Sequence, residues 1–220
     1  MKKEGGRRAR ALKIVQYLKR AYPKPKSELL YETAFQFVVS VMLSAQCTDT
    51  VVNKVTESLF KKYKTPKDFA RAKETQFQKE IARIPFFRNK TKAILATAKE
   101  IVSRYGGEIP RGETALQTFP GIGYKTAHVI VGELYNHWPG IPTDTHVKRF
   151  ARKFDLTRHT DLTKISKDLE ALIPKRDWKY INNGLVLYGR YVCSARIHDC
   201  SKHPLTQLWP KAGNRWPKVK

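Results

Sequence analysis

A chain of 220 residues can bury one or two cores without disulfide or metal staples, and its 43 lysines and arginines against 19 acids leave a formal charge of +24. That surplus points to a polyanion, nucleic acid before a membrane surface, because it is spread over folded-looking segments rather than gathered in a tail. The longest apolar stretch, FVVSVMLSA from Phe37 to Ala45, is about half a membrane span, and three cysteines with no secretion signal argue against a disulfide framework and predict an intracellular protein.

In chain order the periodicity is helical almost throughout. The basic start, MKKEGGRRARALKIVQYLKRAYPKP, repeats its apolar residues at helical spacing and contains no signal-peptide core. Phe35 to Leu43 is apolar all round and predicts a helix buried on every side. Val51, Val55 and Leu59 mark a second helix, and Ile94, Ala98 and Val102 a third that ends at Gly106-Gly107. A short helix is predicted over 114–119 and another over 124–135, with PGIG between them. Ile165, Leu169, Leu172 and Ile173 give a further amphipathic helix stopped by Pro174. The C-terminal WPKAGNRWPKVK reads as a frayed tail or as an arm on a nucleic-acid backbone. There is no alternating strand pattern and no solenoid repeat. The fold class is all-α, in two helical lobes whose joints are AYPKPKSE and HWPGIPTD.

The stretch PGIGYKTA carries the first functional signal. Gly121 and Gly123 are expected to adopt backbone geometries barred to other residues and to leave amides uncovered at the positive end of the next helix, a site for one phosphate. A plain helical hairpin would look similar. Lys125 can be a phosphate contact, yet it sits in a first helical turn amid other cations, and both effects favour the neutral, nucleophilic amine. Asp144 directly precedes THVKRFARKF, a good N-cap position.

FPGIGYKTAHVI together with PTDTHVKRF resembles the helix-hairpin-helix DNA glycosylases, specifically the endonuclease III branch. LSAQCTDTVVNKV, IPFFRNKTKAI and LYGRYVC are similar to that branch's buried helix, wedge loop and the approach to its cluster region, so the resemblance runs over roughly residues 10–200. It implies a six-helix barrel-like domain over 27–137 containing the hairpin, a second helical domain from 1–26 plus 138–220, and a DNA-binding cleft between them. It further implies Lys125 as Schiff-base nucleophile and Asp144 as catalytic carboxylate. Gln46 matches the gap-filling glutamine and Phe86 the apolar wedge; Gly121, Gly123, Tyr124 and Thr126 fall at the DNA-binding hairpin, where a monovalent cation is compatible with the family. Ser44, Asp49 and His146 coincide with positions near the flipped base or its support, ordinary structural roles remaining open for each.

The same family usually ends in an iron–sulfur cluster on cysteines spaced C-x6-C-x2-C-x5-C. Cys193 and Cys200 keep the first spacing, but the third position is His203 and the fourth Trp209, while Cys47 belongs to the LSAQCTD helix. Two thiolates cannot supply a four-thiolate cluster, so none is expected. A zinc site on Cys193, Cys200, His203 and His198 has poor spacing; the expectation is no metal, with Leu205 and Trp209 packed in the cofactor's stead and Arg196, Lys202 and Lys211 supplying basic contacts.

The implied function is a monomeric bifunctional DNA glycosylase/AP lyase acting on double-stranded DNA with oxidised or ring-saturated pyrimidines or abasic sites. The alternatives are a monofunctional or mismatch-directed glycosylase of the same fold, against which Lys125 argues, and a non-catalytic damaged-DNA-binding module, against which the paired Lys125 and Asp144 argue.

Overall fold

The computed structural model describes residues 2–213, with side chains from residue 6 onward. Every regular element among them is helical: α1 (Lys2–Ala21), α2 (Ala34–Ser44), α3 (Asp49–Lys62), α4 (Pro66–Ala70), α5 (Glu74–Glu80), α6 (Phe87–Tyr105), α7 (Glu113–Gln117), α8 (Tyr124–Tyr135), α9 (Thr145–Lys153), α10 (Leu162–Leu172), α11 (Trp178–Tyr191) and α12 (Pro204–Leu208), with single 3-10 turns at Lys175–Asp177 and Pro210–Ala212. No described helix is long and apolar enough to cross a membrane. The chain divides into two compact units, one formed by Ser27–His137 and the other by the described residues before Ser27 and from Trp138 onward.

In the Ser27–His137 unit, α2 is buried without a break from Phe35 to Leu43. Its polar residues survive burial by finding carbonyls: Gln36 donates to Tyr63 O (3.4 Å) and Ser40 to Leu30 O (3.4 Å). Thr33 and Gln36 close a capping box that fixes where α2 begins. Val52, Val55 and Leu59 of α3 and Ile94, Ala98 and Ile101 of α6 join this core, and α6 ends where Gly106 turns left-handed (φ 62). Two boundaries differ from the sequence reading. The LSAQCTD segment is not helical throughout, because α2 stops at Ser44 and the Cys47 amide closes a turn on the Ser44 carbonyl (3.0 Å). The short helix runs Glu113–Gln117 instead of 114–119, since Thr118 and Phe119 turn back onto the Ala115 and Leu116 carbonyls.

The other unit packs Ala11, Ile14, Val15 and Leu18 of α1 with Val147 and Phe150 of α9, Ile165 and Leu169 of α10, and Tyr188 of α11. Asp161 caps α10 by accepting from the Lys164 amide (2.9 Å). Gly189 permits the close approach of α11 to α9, because a Cβ there would fall on His146 Nδ1 and Arg149 Nη2. Leu205 is fully buried, and the Trp209 ring packs near Phe154 with the Arg10 guanidinium 4.4 Å from its centroid. Of the C-terminal WPKAGNRWPKVK, the structure describes only as far as Gly213; the rest of that predicted tail or arm lies outside the described residues.

Candidate active site

Between α7 and α8 the chain turns through PGIG. Gly121 is left-handed (φ 77), and a Cβ on it would meet Ala93 Cβ at 2.9 Å and Met42 Cε at 3.3 Å, so the turn needs glycine there twice over. Gly123 corrects the expectation made for both glycines: its φ of −86 and ψ of −179 are ordinary extended backbone, and a Cβ would meet nothing within 4 Å. What Gly123 does is cap α8 without a side chain. The amides of the first turn, at Tyr124, Lys125 and Thr126, therefore have no side-chain cap and, by helix geometry, no intrahelical acceptor, the arrangement that binds an anion. Tyr124 is half-buried and its ring lies against His128, tilted by 40° (3.9 Å between centroids); Thr126 is half-buried. Lys125 is exposed, and its amine has no hydrogen bond or ion pair among the described residues.

Two further segments of this unit carry strained, exposed side chains. In the turn after α2, Ala45 has φ −59 and ψ 114 and Gln46 has φ 57, the geometry of a type II turn with glutamine at the position that ordinarily demands glycine. Before α6, Phe86 has φ 59 and ψ 28 and is 61 % exposed. Left-handed backbone costs a non-glycine residue roughly 1–3 kcal/mol and is commonest where function demands it. Lys90 of α6, which no sequence motif singled out, donates to both Leu43 O (2.8 Å) and Ala45 O (2.6 Å). Burial pulls its pKa down, partly countered by nearby Cys47. Ser44 is half-buried and donates back to Val41 O (2.9 Å), and Asp49 is the first residue of α3, where a carboxylate suits the helix dipole.

The remaining residues belong to the other unit. Asp144 caps α9, with Oδ1 accepting from the Val147 amide at 2.8 Å; Oδ2 has no hydrogen bond among the described residues. The segment leading to it is anchored to α10, where Glu170 accepts from the Ile141 amide (3.2 Å) and the one Ser166 hydroxyl hydrogen is shared between Glu170 Oε1 and Ile141 O (2.8 Å each). Burial alone would raise the Glu170 pKa, but Lys167, Ser166 and the Ile141 amide outweigh it and hold the carboxyl low. His146 is half-buried beside Gly189, a packing position on α9.

The cysteine region does not fit an iron–sulfur cluster. The third and fourth positions offer an imidazole and an indole, and the two thiols present are engaged by cations: buried Lys153 donates to Cys200 Sγ at 3.1 Å, and the Arg149 guanidinium lies 3.9 Å from Cys193 Sγ. Burial lowers the Arg149 pKa and raises that of Cys193, the latter opposed by the charges of Lys153 and Arg149. Ligand atoms of Cys193, His198 and His203 do lie within 4.8 Å of one another, yet ammonium and guanidinium groups on the neighbouring thiols disfavour a dication there. Arg196, Lys202 and Lys211 are exposed.

Residues 39–175 match the HhH-GPD superfamily of base excision DNA repair proteins. The chain belongs to this family. Among HhH-GPD relatives, endonuclease III of Synechocystis sp. is 38% identical over 212 residues, 96% of this chain and 97% of that protein. Endonuclease III of Bacillus subtilis is 40% identical over 188 residues, 85% of each chain. A trapped covalent intermediate of an endonuclease III with DNA superposes with a TM-score of 0.86 at 33% identity, covering 93% of this chain and 96% of that one. A thermostable thymine-DNA glycosylase shares the fold at a TM-score of 0.77 and 18% identity.

Proposed function

We propose that this HhH-GPD protein is a bifunctional DNA glycosylase/AP lyase of base excision repair, working on double-stranded DNA that carries oxidised or ring-saturated pyrimidines or abasic sites. The observation that carries the reading is Lys125: an exposed amine without a partner among the described residues, in an uncapped first helical turn behind a left-handed glycine, in a chain that matches endonuclease III almost end to end.

In this reading α8's free amides hold a phosphate of the damaged strand, and the nucleotide is everted. Gln46 and Phe86 enter the stack in its place, which offsets the cost of unstacking. The Lys125 nitrogen attacks C1′, the C1′–N bond to the base breaks, and the base leaves with the bonding pair and a proton. Asp144 stabilises the oxocarbenium-like charge at C1′ and accepts a proton from the attacking amine. The C1′–O4′ bond then breaks, O4′ taking up a proton, to leave an iminium that acidifies the C2′ hydrogens; loss of one expels the 3′ phosphate, and hydrolysis of the unsaturated imine returns the free lysine. Ser44, Asp49 and His146 support the elements that carry these groups. Binding to roughly 4–6 phosphates would make log K fall against log salt with a slope of about −4 to −5.

Borohydride reduction on an abasic duplex tests the reading: a covalent adduct that vanishes in Lys125→Gln supports it, whereas base release from a lesion panel without any adduct contradicts the lyase step.

A further inference from the structure

Lys90 is bonded to both strained segments, to one through its side chain and to the other through its backbone. Its ammonium donates to the Ala45 carbonyl, immediately before Gln46, and to the Leu43 carbonyl at the end of α2. Its own backbone N–H donates to the carbonyl of Phe86 at 3.0 Å. A single residue thus bonds the carbonyl that precedes Gln46 and the carbonyl of Phe86 itself, the two exposed residues on left-handed backbone, all within the Ser27–His137 unit.

The Ala45 carbonyl is the group that decides the turn type. Type I and type II turns differ chiefly by a flip of their central peptide, which carries the carbonyl of the second residue and the amide of the third. With ψ 114 at Ala45 the peptide is in the type II orientation, which forces Gln46 to positive φ. Glutamine would by itself prefer the flipped, type I form. A charge-assisted bond of 2.6 Å to that carbonyl opposes the flip. The second bond, to Leu43 O, anchors the ammonium on an α2 terminus whose carbonyls attract a cation.

We infer that Lys90 is a positioning residue that locks the Ala45–Gln46 peptide in the type II orientation and so fixes Gln46 in register with Phe86 as a two-pronged duplex probe. The probe role rests on the reading under Proposed function; the lock itself does not. A crystal structure of Lys90→Met therefore tests the lock independently of any activity. Gln46 is expected at negative φ, and a Gln46 that stays near its present φ overturns the inference.

The kinetic arm compares cleavage at an abasic site in duplex DNA with cleavage in a single strand, where no stacked gap needs filling. Lys90→Met is expected to slow the duplex reaction by roughly 10–10²-fold, the scale of a misplacement of about 1 Å, and to leave the single-strand reaction unchanged. Lys90→Arg, which keeps the donors, retains both. Equal slowing on the two substrates overturns the positioning role, whereas failure of the unmodified protein to form any adduct counts against the lyase reading instead. If Lys90→Met alone proves unstable, adding Gln46→Gly removes the strain the lysine holds, and the double variant is expected to melt higher than Lys90→Met; a lower melting point contradicts the lock.

Discussion

The Ser27–His137 unit and the unit built from the flanking segments handle their chemically active side chains in opposite ways. In the first, Gln46 and Phe86 stand exposed on left-handed backbone and Lys125 is exposed in an uncapped turn. In the second, three charged groups are tied down: Asp144 spends one oxygen on a helix cap, and Arg149 and Lys153 are buried against thiols. Strained, exposed groups contribute little to stability, and such strain clusters at sites of function. Buried, paired charges are the reverse, since removing one member leaves the other desolvated.

Substitutions can break this contrast. The largest effect is expected at Asp144, the residue that straddles it. Asparagine caps a helix nearly as well as aspartate, so Asp144→Asn should keep the melting temperature while base release and nicking fall by about 10²–10⁴-fold. Alanine at 144 should add a loss of about 1 kcal/mol in stability; an asparagine variant that stays active would reduce Asp144 to a cap. Next comes Cys200→Ala, which takes an acceptor from buried Lys153 and is expected to cost about 1–3 kcal/mol in denaturant unfolding. Adding Lys153→Met should recover part of that loss, and strict additivity in the double-mutant cycle would mean the pair is not coupled.

On the other side of the contrast, Phe86→Gly and Gln46→Gly trade relief of about 1–2 kcal/mol of left-handed strain against glycine's entropy of roughly 0.5–1 kcal/mol. Stability should hold or rise slightly while duplex nicking drops, and marked destabilisation would place these residues with the buried group instead. The smallest effect concerns pH. Glu170 is held below its ordinary pKa by its hydrogen bonds despite burial, so its contribution is complete above the unfolded carboxylate value of about 4.3 and is lost as pH falls through the lower folded value. Glu170→Gln should therefore be less stable than the parent at neutral pH and converge on it in acid; a gap that persists below both values would assign the residue a packing role.

How far the sequence revealed this follows from what each feature depends on. Helix α8 was legible to the residue because a glycine precedes it and Asn136 ends it in the left-handed region. The all-round burial of α2 was written in an unbroken apolar run. The Asp144 cap is a local pattern and could be seen as such. The strain at Gln46 and Phe86 could not, since neither residue type announces positive φ, and motif resemblance alone marked them out. Lys90 was invisible for a different reason: its acceptors lie 45 and 47 residues earlier in the chain, and one lysine among so many basic residues carries no signature. Lys153 and Cys200 pair across a similar separation. Gly123 misled because a glycine can serve by leaving a helix start uncapped as well as by adopting forbidden dihedrals.

If Lys125 is the nucleophile, its amine bonds to the sugar of the damaged nucleotide. Peptide mapping by mass spectrometry of the borohydride-reduced complex locates that bond. The reduced deoxyribose remnant is expected on the peptide containing Lys125 and on no other; finding it on another lysine or on the N-terminal amine would rule out Lys125 as the nucleophile.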